Sequence, residues 1–378
     1  MTEIWVPYGP VDVSFDIKQE NLSQILEPQV EKISQDDLER KVDLVSEETV
    51  LLLSGTTGTQ KVLDLLLTRN RVIRKILHPK NHGALARRKA QEFGVEADQL
   101  NTESLVEVGP IDGSQALLPT QIKETSKLLL LTSCHYDPLF GMTNAASDLV
   151  SVVGNLKDQA FKRSVDDLPC SPSKSNASSY AMHVVQSCSG LKSMNVVEKS
   201  NIGVLSVNYG DPESSGKEAT EFWVKNFQVQ PANRTERILF GCGGGDDDRT
   251  LNDALKSFFP IASNTTLLNS GSRICMLAEC SKGLGSEALL RYVTGRFEPR
   301  ARLDNTSYFD GLESLLSFFK VQREFELVIL TTLPNFYAAK FDFKTIGGAR
   351  EAPSSLVQPG SRGKILVVPD ASRSYFSI

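Results

Sequence analysis

The stretch that decides the fold is TVLLLSGTTGTQKVLDLLL, residues 49–67. An apolar run ends in a turn made of glycine and threonine, and an apolar pattern of helical type follows it. This order predicts a buried strand, a tight turn and a helix. Strands that alternate with helices in this way are typical of the α/β class with a mostly parallel sheet.

The same order recurs in the second half of the chain. RILFGCGGGDDDRTLNDALKSFF (237–259) and RICMLAECSKGLGSEALLRYV (273–293) each read as strand, glycine-rich loop and helix. We therefore expect two α/β domains with mostly parallel sheets. A shift in composition near 230–236 predicts an N-terminal domain of residues 1–232 and a C-terminal domain of residues 233–378.

Two other segments have a distinct character. Residues 3–17 contain two alternating apolar runs around Tyr8-Gly9-Pro10, which predicts a hairpin. Residues 163–180 are rich in Ser, Pro and Asn and poor in apolar residues, which predicts an irregular surface segment.

The composition excludes several classes of protein. With 378 residues, 40% hydrophobic and 23% charged, the chain is globular rather than disordered. A net charge of −5 argues against nucleic acid as a partner. No signal peptide or membrane-spanning run is apparent, so we expect a cytoplasmic protein with no membrane partner. Six cysteines without a C-x-x-C pair predict reduced core residues and no structural zinc site.

Two glycine-rich loops are candidate ligand sites. In SGTTGT, the backbone N–H groups and hydroxyls of Thr56, Thr57, Gly58 and Thr59 would suit a phosphate or another anion. The alternative is an ordinary helix start capped by threonine. In GCGGGDDD (241–248), the aspartates either complement a helix dipole or bind a divalent cation, and the sequence does not define a metal site.

The histidines are the candidate acid–base groups. His135 follows the strand predicted at 127–133, and ligand sites in open α/β sheets lie outside the carboxyl ends of strands. His78 and His82 follow another predicted strand, and Pro79 makes a helical two-histidine metal pair improbable. Each of these histidines is alternatively a loop residue without a catalytic role.

Several segments together resemble the nickel-pincer lactate racemase family. The resemblance lies in MTEIWVPYGPVDVSFDI at the start, the Gly-Asp-Pro turn at 210–212, RILFGCGGGDDDRTLNDALK and AECSKGLG (278–285). The matches follow the same order over most of the chain. The resemblance implies an interdomain cleft and an isomerase that interconverts stereoisomers of a 2-hydroxy acid. In the family, a nickel-pincer nucleotide removes and returns hydride while two histidines act as general bases.

The resemblance also implies roles for individual residues. His135 matches one general base, and His82 matches the other, with His78 possible after a small shift. Lys256 matches a lysine on a helix of the second domain, and Asp248 matches the aspartate of its glycine motif. These matches imply that His135, His82 and Lys256 are catalytic.

The chain departs from the family at positions that bind cofactor and substrate. SGTTGT replaces a turn that carries the substrate-binding arginine, which removes a bidentate clamp for a carboxylate. No lysine lies between His135 and Lys157 to tether the cofactor, and no nickel-binding histidine lies between His135 and His183. Two hypotheses follow. The chain is a divergent 2-hydroxyacid racemase or epimerase, or it is a non-catalytic relative that binds a nucleotide-like or anionic ligand or has a regulatory role.

Overall fold

A computed structural model describes residues 1–70, 72–111, 113–200, 202–264, 267–299, 308–358 and 360–376. The strands, in chain order, are β1 (Thr2–Tyr8), β2 (Val11–Ile17), β3 (Leu22–Ile25), β4 (Thr49–Leu52), β5 (Lys75–His78), β6 (Glu96–Gln99), β7 (Leu105–Ile111), β8 (Ser114–Pro119), β9 (Leu128–Ser133), β10 (Tyr136–Asp137), β11 (Gly141–Met142), β12 (Leu191–Lys199), β13 (Gly203–Gly210), β14 (Gln228–Val229), β15 (Thr235–Gly241), β16 (Leu268–Leu277), β17 (Glu326–Leu330), β18 (Phe343–Thr345), β19 (Ile365–Val368) and β20 (Tyr375–Phe376).

The helices are α1 (Gln35–Asp43), α2 (Thr57–Arg69), α3 (Gly83–Phe93), α4 (Thr120–Glu124), α5 (Ala145–Val152), α6 (Gly154–Ser164), α7 (Asn176–Gln186), α8 (Pro212–Phe227), α9 (Leu251–Ala262), α10 (Glu287–Val293), α11 (Leu312–Val321), α12 (Asn335–Lys340) and α13 (Ala352–Leu356). None of the helices in the described ranges combines the length and the apolar character needed to cross a membrane. The expected α/β class is confirmed.

The chain divides into two compact units. The central unit is Val30–Lys225, and the terminal unit combines Met1–Gln29 with Asn226–Ile378. This division differs from the expected 1–232 and 233–378 chiefly in the first 29 residues. The reason is strand pairing, because β3 lies parallel to β19, with Leu22 opposite Ile365.

The central unit contains a sheet of order β13-β12-β9-β4-β5-β6. All its neighbouring strands are parallel except β12 and β13, which are antiparallel. Val50, Leu52, Leu129 and Leu131 of the central strands are fully buried in one apolar cluster. Each fully buried aliphatic side chain contributes ~1.5–3 kcal/mol, so this cluster stabilises the central strands.

The terminal unit contains a parallel sheet of order β18-β17-β16-β15-β19-β3. The predicted hairpin is confirmed as β1 and β2, with Tyr8 paired to Val11 and with Gly9 at a φ of +55° between them. Aromatic rings around Phe318, including Phe258 and Phe341, pack at centroid distances of 5.9 and 5.7 Å.

The expectation of an irregular segment over 163–180 is correct only for its middle. Helix α6 continues to Ser164, and α7 begins at Asn176 with Ser175 as its N-cap. Tyr180 and Ala181 of α7 are fully buried. The serine-rich segment therefore includes the N-cap of a helix, and the few apolar residues that follow form the buried face of that helix.

All six cysteines are free thiols, as the sequence indicates. Five of them are buried, and Cys188 is partly buried.

Candidate active site

The carboxyl ends of β4 and β9 mark a point where the chain changes direction in the central sheet. From β4 the chain passes through α2 to β5 on one side, whereas from β9 it passes through α5, α6 and α7 to β12 on the other. Ligands of open α/β sheets bind outside the carboxyl ends of strands at such a switch point. The residues that follow β4, β5, β9 and β12 are therefore the candidates for a site in the central unit.

The SGTTGT turn follows β4 and starts α2. Thr56 is the N-cap of α2, and its hydroxyl accepts a hydrogen bond from Thr59 N–H at 3.4 Å. The Thr59 hydroxyl donates to the carbonyl of Ser54 or of Thr56, at 3.1 and 2.9 Å. These hydroxyls are therefore engaged within the turn, and a role for Thr56, Thr57, Gly58 and Thr59 in cofactor binding stays a prediction.

A carboxylate of the protein itself binds the start of α2. Gly58 N–H donates to Glu198 Oε2 at 2.6 Å, and Ser133 Oγ donates to Glu198 Oε1 at 2.8 Å. Glu198 lies near the end of β12 and is 4% exposed. Its side chain thus connects the carboxyl ends of three neighbouring strands, β12, β9 and β4.

Sequence reasoning missed Glu198. The signal that could have indicated it is a single acidic residue in the apolar run MNVVEK (194–199). A charged residue is seldom buried in a strand unless it has a partner. The partners, however, lie far away in the sequence.

His135 lies just beyond β9 and is partly buried. Its Nδ1 lies 3.2 Å from the Ser133 carbonyl oxygen and 3.1 Å from Thr143 Oγ1. Because a carbonyl can only accept, the contact with Ser133 favours the proton on Nδ1. The lone pair of the neutral ring is then on Nε2, as a general base requires.

His82 follows β5 and lies beside the SGTTGT turn. Its Nε2 lies 3.1 Å from the Leu53 carbonyl oxygen, so the proton of the neutral ring is on Nε2 and the lone pair on Nδ1. Nδ1 faces Gly55, since a Cβ added there would lie 3.0 Å from it. Burial lowers the pKa of His82 below 6.5, which favours the neutral imidazole.

His78 has a different environment. It is 1% exposed, and its Nδ1 lies 3.0 Å from the carbonyl oxygen of Pro79. Of the two histidines after β5, His82 is therefore the one that is partly accessible.

The GCGGGDDD loop of the terminal unit follows β15. Asp248 Oδ2 accepts hydrogen bonds from Gly9 N–H at 2.8 Å and from Glu279 N–H at 3.1 Å. Asp248 is fully buried, and its Oδ1 has no hydrogen-bond partner. Burial raises the pKa of the Asp248 carboxyl above its ordinary value of 3.8. This aspartate thus joins the β1–β2 hairpin to the loop after β16.

Ionisable groups that are buried or partly buried lie near Asp248. Burial, together with the negative charges of Glu279 and Asp248, raises the pKa of Tyr8 to about 12, and burial raises the pKa of Cys280 to about 12. Among the residues that the structure describes, no three His, Cys, Asp or Glu side chains are grouped as metal ligands.

Lys256 lies on α9 and is partly buried. It lies one helical turn after Asn252 and Asp253, so the three share one face of α9. Lys256 belongs to the terminal unit and His135 to the central unit. The expectation that they approach each other stays a prediction.

The residues present do not fit a lysine-tethered nickel-pincer nucleotide. The lysine would lie near position 145, but Ala145 is the buried first residue of α5. Its backbone N–H donates to the buried Asn195 side chain at 2.9 Å. Position 145 thus contains neither an amine nor room for a long side chain.

Comparisons with known proteins support the fold. The lactate racemase apoprotein from Thermoanaerobacterium thermosaccharolyticum superposes with a TM-score of 0.80 at 16% identity, over 100% of both chains. A structural-genomics protein from Thermotoga maritima superposes with a TM-score of 0.63 at 10% identity, over 93% of this chain and 100% of its own. No protein-family model matches the sequence, and no curated protein matches it significantly. The chain therefore has a lactate-racemase-like fold.

Proposed function

We propose that this chain is a lactate-racemase-like isomerase that changes the configuration at the hydroxyl-bearing carbon of a small 2-hydroxy acid. His135 and His82 are its general bases. The observation that carries the proposal is the state of the two imidazoles. Each follows a strand at the same edge of the central sheet, and each has one ring nitrogen within hydrogen-bond distance of a backbone carbonyl, which favours the proton on that nitrogen.

Two neutral imidazoles suit the acid–base part of the reaction, the removal and return of the proton of the substrate hydroxyl. The lone pair of the neutral ring is on Nε2 in His135 and on Nδ1 in His82. One imidazole would take the proton of the substrate hydroxyl, and the other would return a proton to that oxygen. The hydride that leaves the carbon and returns to it needs an acceptor, which in the family is the nickel-pincer nucleotide. The lowered pKa of His82 keeps it in the base form at neutral pH.

The lactate-racemase-like fold also supports the proposal, as does the general rule that ligands of open α/β sheets bind outside the carboxyl ends of strands. A catalytic role for Lys256 is part of the proposal as a separate prediction, tested by Lys256→Ala in the assay below. The missing tether and arginine clamp support the other hypothesis, a non-catalytic relative.

A turnover assay distinguishes the two hypotheses. Wild-type protein is incubated with single enantiomers of 2-hydroxy acids and sugar acids, and the products are separated by chiral chromatography. The protein is produced both with and without the enzymes that make the nickel-pincer nucleotide. Loss of a positioned base usually costs ~10²–10⁴-fold in rate, so His135→Ala and His82→Ala should each lose activity to this extent.

The matched control is His183→Ala, which alters an exposed histidine on α7 and should retain wild-type turnover. No change of configuration in any substrate, with or without the cofactor-making enzymes, would contradict the proposal and favour the non-catalytic relative. Turnover that survives both His135→Ala and His82→Ala would show that the bases are assigned wrongly.

A further inference from the structure

Glu198 occupies the place where an open α/β sheet usually receives the anionic group of a ligand. The amino end of α2 follows β4 at the switch point of the sheet. A helix start in that position attracts phosphate or carboxylate groups through its N–H groups and its dipole. In this chain, the anion at that point is the Glu198 carboxylate, with Gly58 N–H at 2.6 Å.

Gly58 and Ser133 both contact this carboxylate closely. A Cβ at position 58 would lie 2.5 Å from Glu198 Oε2 and 2.9 Å from Cδ, so a larger residue there would force the carboxylate to move. Ser133 donates to the other oxygen from the neighbouring strand. The carboxylate is thus held from two elements and aligned with the first turn of α2.

We propose that Glu198 is the specificity-determining residue of this site: its carboxylate replaces a ligand phosphate at the start of α2, so the site selects small ligands without a phosphate group. The proposed function is needed here only to identify the ligand as a hydroxy acid. The exclusion of phosphate rests on the contacts of Glu198 alone, and it argues against a nucleotide whose phosphates bind the SGTTGT turn.

The test measures binding of inorganic phosphate, and it requires no turnover. Glu198→Ala leaves the Gly58 N–H without its anion and opens space beside the partly exposed turn. Thermal unfolding of the full chain is followed against phosphate concentration, with sodium chloride at equal ionic strength as the salt control. At phosphate 100-fold above its Kd, the folding equilibrium constant of the variant should rise ~100-fold, whereas the wild type should follow the chloride control.

A matched variant separates this effect from the loss of any buried carboxylate. Glu47 is also 4% exposed and lies in the central unit, but it precedes β4 and accepts its hydrogen bonds from Tyr209 and from Ser46 N–H. Glu47→Ala should therefore lose stability without gaining phosphate binding. Saturable stabilisation by phosphate in Glu198→Ala alone supports the proposal.

Three outcomes would overturn it. The first is saturable binding of phosphate by the wild-type protein. The second is a folded Glu198→Ala variant that phosphate stabilises no more than it stabilises Glu47→Ala. If Glu198→Ala does not fold unaided, phosphate or formate should restore folding. The third outcome is that neither anion restores the folding of Glu198→Ala although Glu198→Gln folds. These phosphate-binding results do not depend on turnover. Failure of the racemase proposal in the turnover assay can therefore be distinguished from failure of the proposal about Glu198.

Discussion

Gly58→Ala is expected to destabilise the central unit because Glu198 occupies the space of the new methyl group. The added Cβ would lie 2.5 Å from Glu198 Oε2, so the carboxylate must move and lose the Gly58 N–H bond of 2.6 Å. A hydrogen bond to a charged group contributes ~1.5–3 kcal/mol. Alanine is favoured over glycine inside a helix by ~0.5–1 kcal/mol, so the net loss is about 0.5–2.5 kcal/mol.

The assay is urea unfolding followed by tryptophan fluorescence in a Trp5→Phe background. The chain has two tryptophans, and Trp223, the remaining one, is buried in the central unit. The matched control is Gly154→Ala at the start of α6, where no atom lies within 4 Å of the added Cβ. Its stability should stay unchanged or rise by up to ~1 kcal/mol, through helix propensity alone.

A double-mutant cycle tests whether the destabilisation by Gly58→Ala comes from the Glu198 carboxylate. In the Glu198→Ala background, the clash with Oε2 is absent, and Gly58→Ala should cost at least ~1 kcal/mol less than in the wild type. An equal loss in both backgrounds would refute the reasoning, because the destabilisation would then not come from the carboxylate.

Three further predictions concern Ser133, Asp248 and His82. Ser133→Ala removes the 2.8 Å bond to Glu198, so urea unfolding should show a loss of ~1.5–3 kcal/mol, absent when Glu198 is alanine. The folded state holds the Asp248 proton more tightly than the unfolded state. Relative to Asp248→Asn, the wild type should therefore lose stability as pH rises above 3.8, and parallel urea midpoints would contradict this. The lowered pKa of His82 places the acid limb of kcat/KM below pH 6.5, and a limb above that value would contradict its role as a base.

The sequence predicts much of the local structure because the signals are local. The apolar run and turn at 49–59 become β4 and the start of α2. The position of His135 after β9 also follows from the sequence, since the strand is a continuous apolar run.

The long-range features could not be predicted in this way. Glu198 and Gly58 are 140 residues apart, and their contact exists only because the sheet order places β12, β9 and β4 side by side. The membership of residues 1–29 in the terminal unit likewise depends on the pairing of β3 with β19. Sheet order is a property of global packing, and no local pattern in the chain encodes it.

In the proposed site, His135 and His82 each have a lone pair at the edge of the central sheet, on Nε2 and Nδ1 respectively. Long-range ¹⁵N–¹H correlation spectra of uniformly labelled protein test it most directly, because the chain has four histidines and each signal is assignable by a single His→Gln variant. At pH 7, the account predicts a neutral His82 with its proton on Nε2, and His135 with a proton on Nδ1. A proton on the opposite nitrogen of either neutral ring, or a doubly protonated His82, would contradict the account.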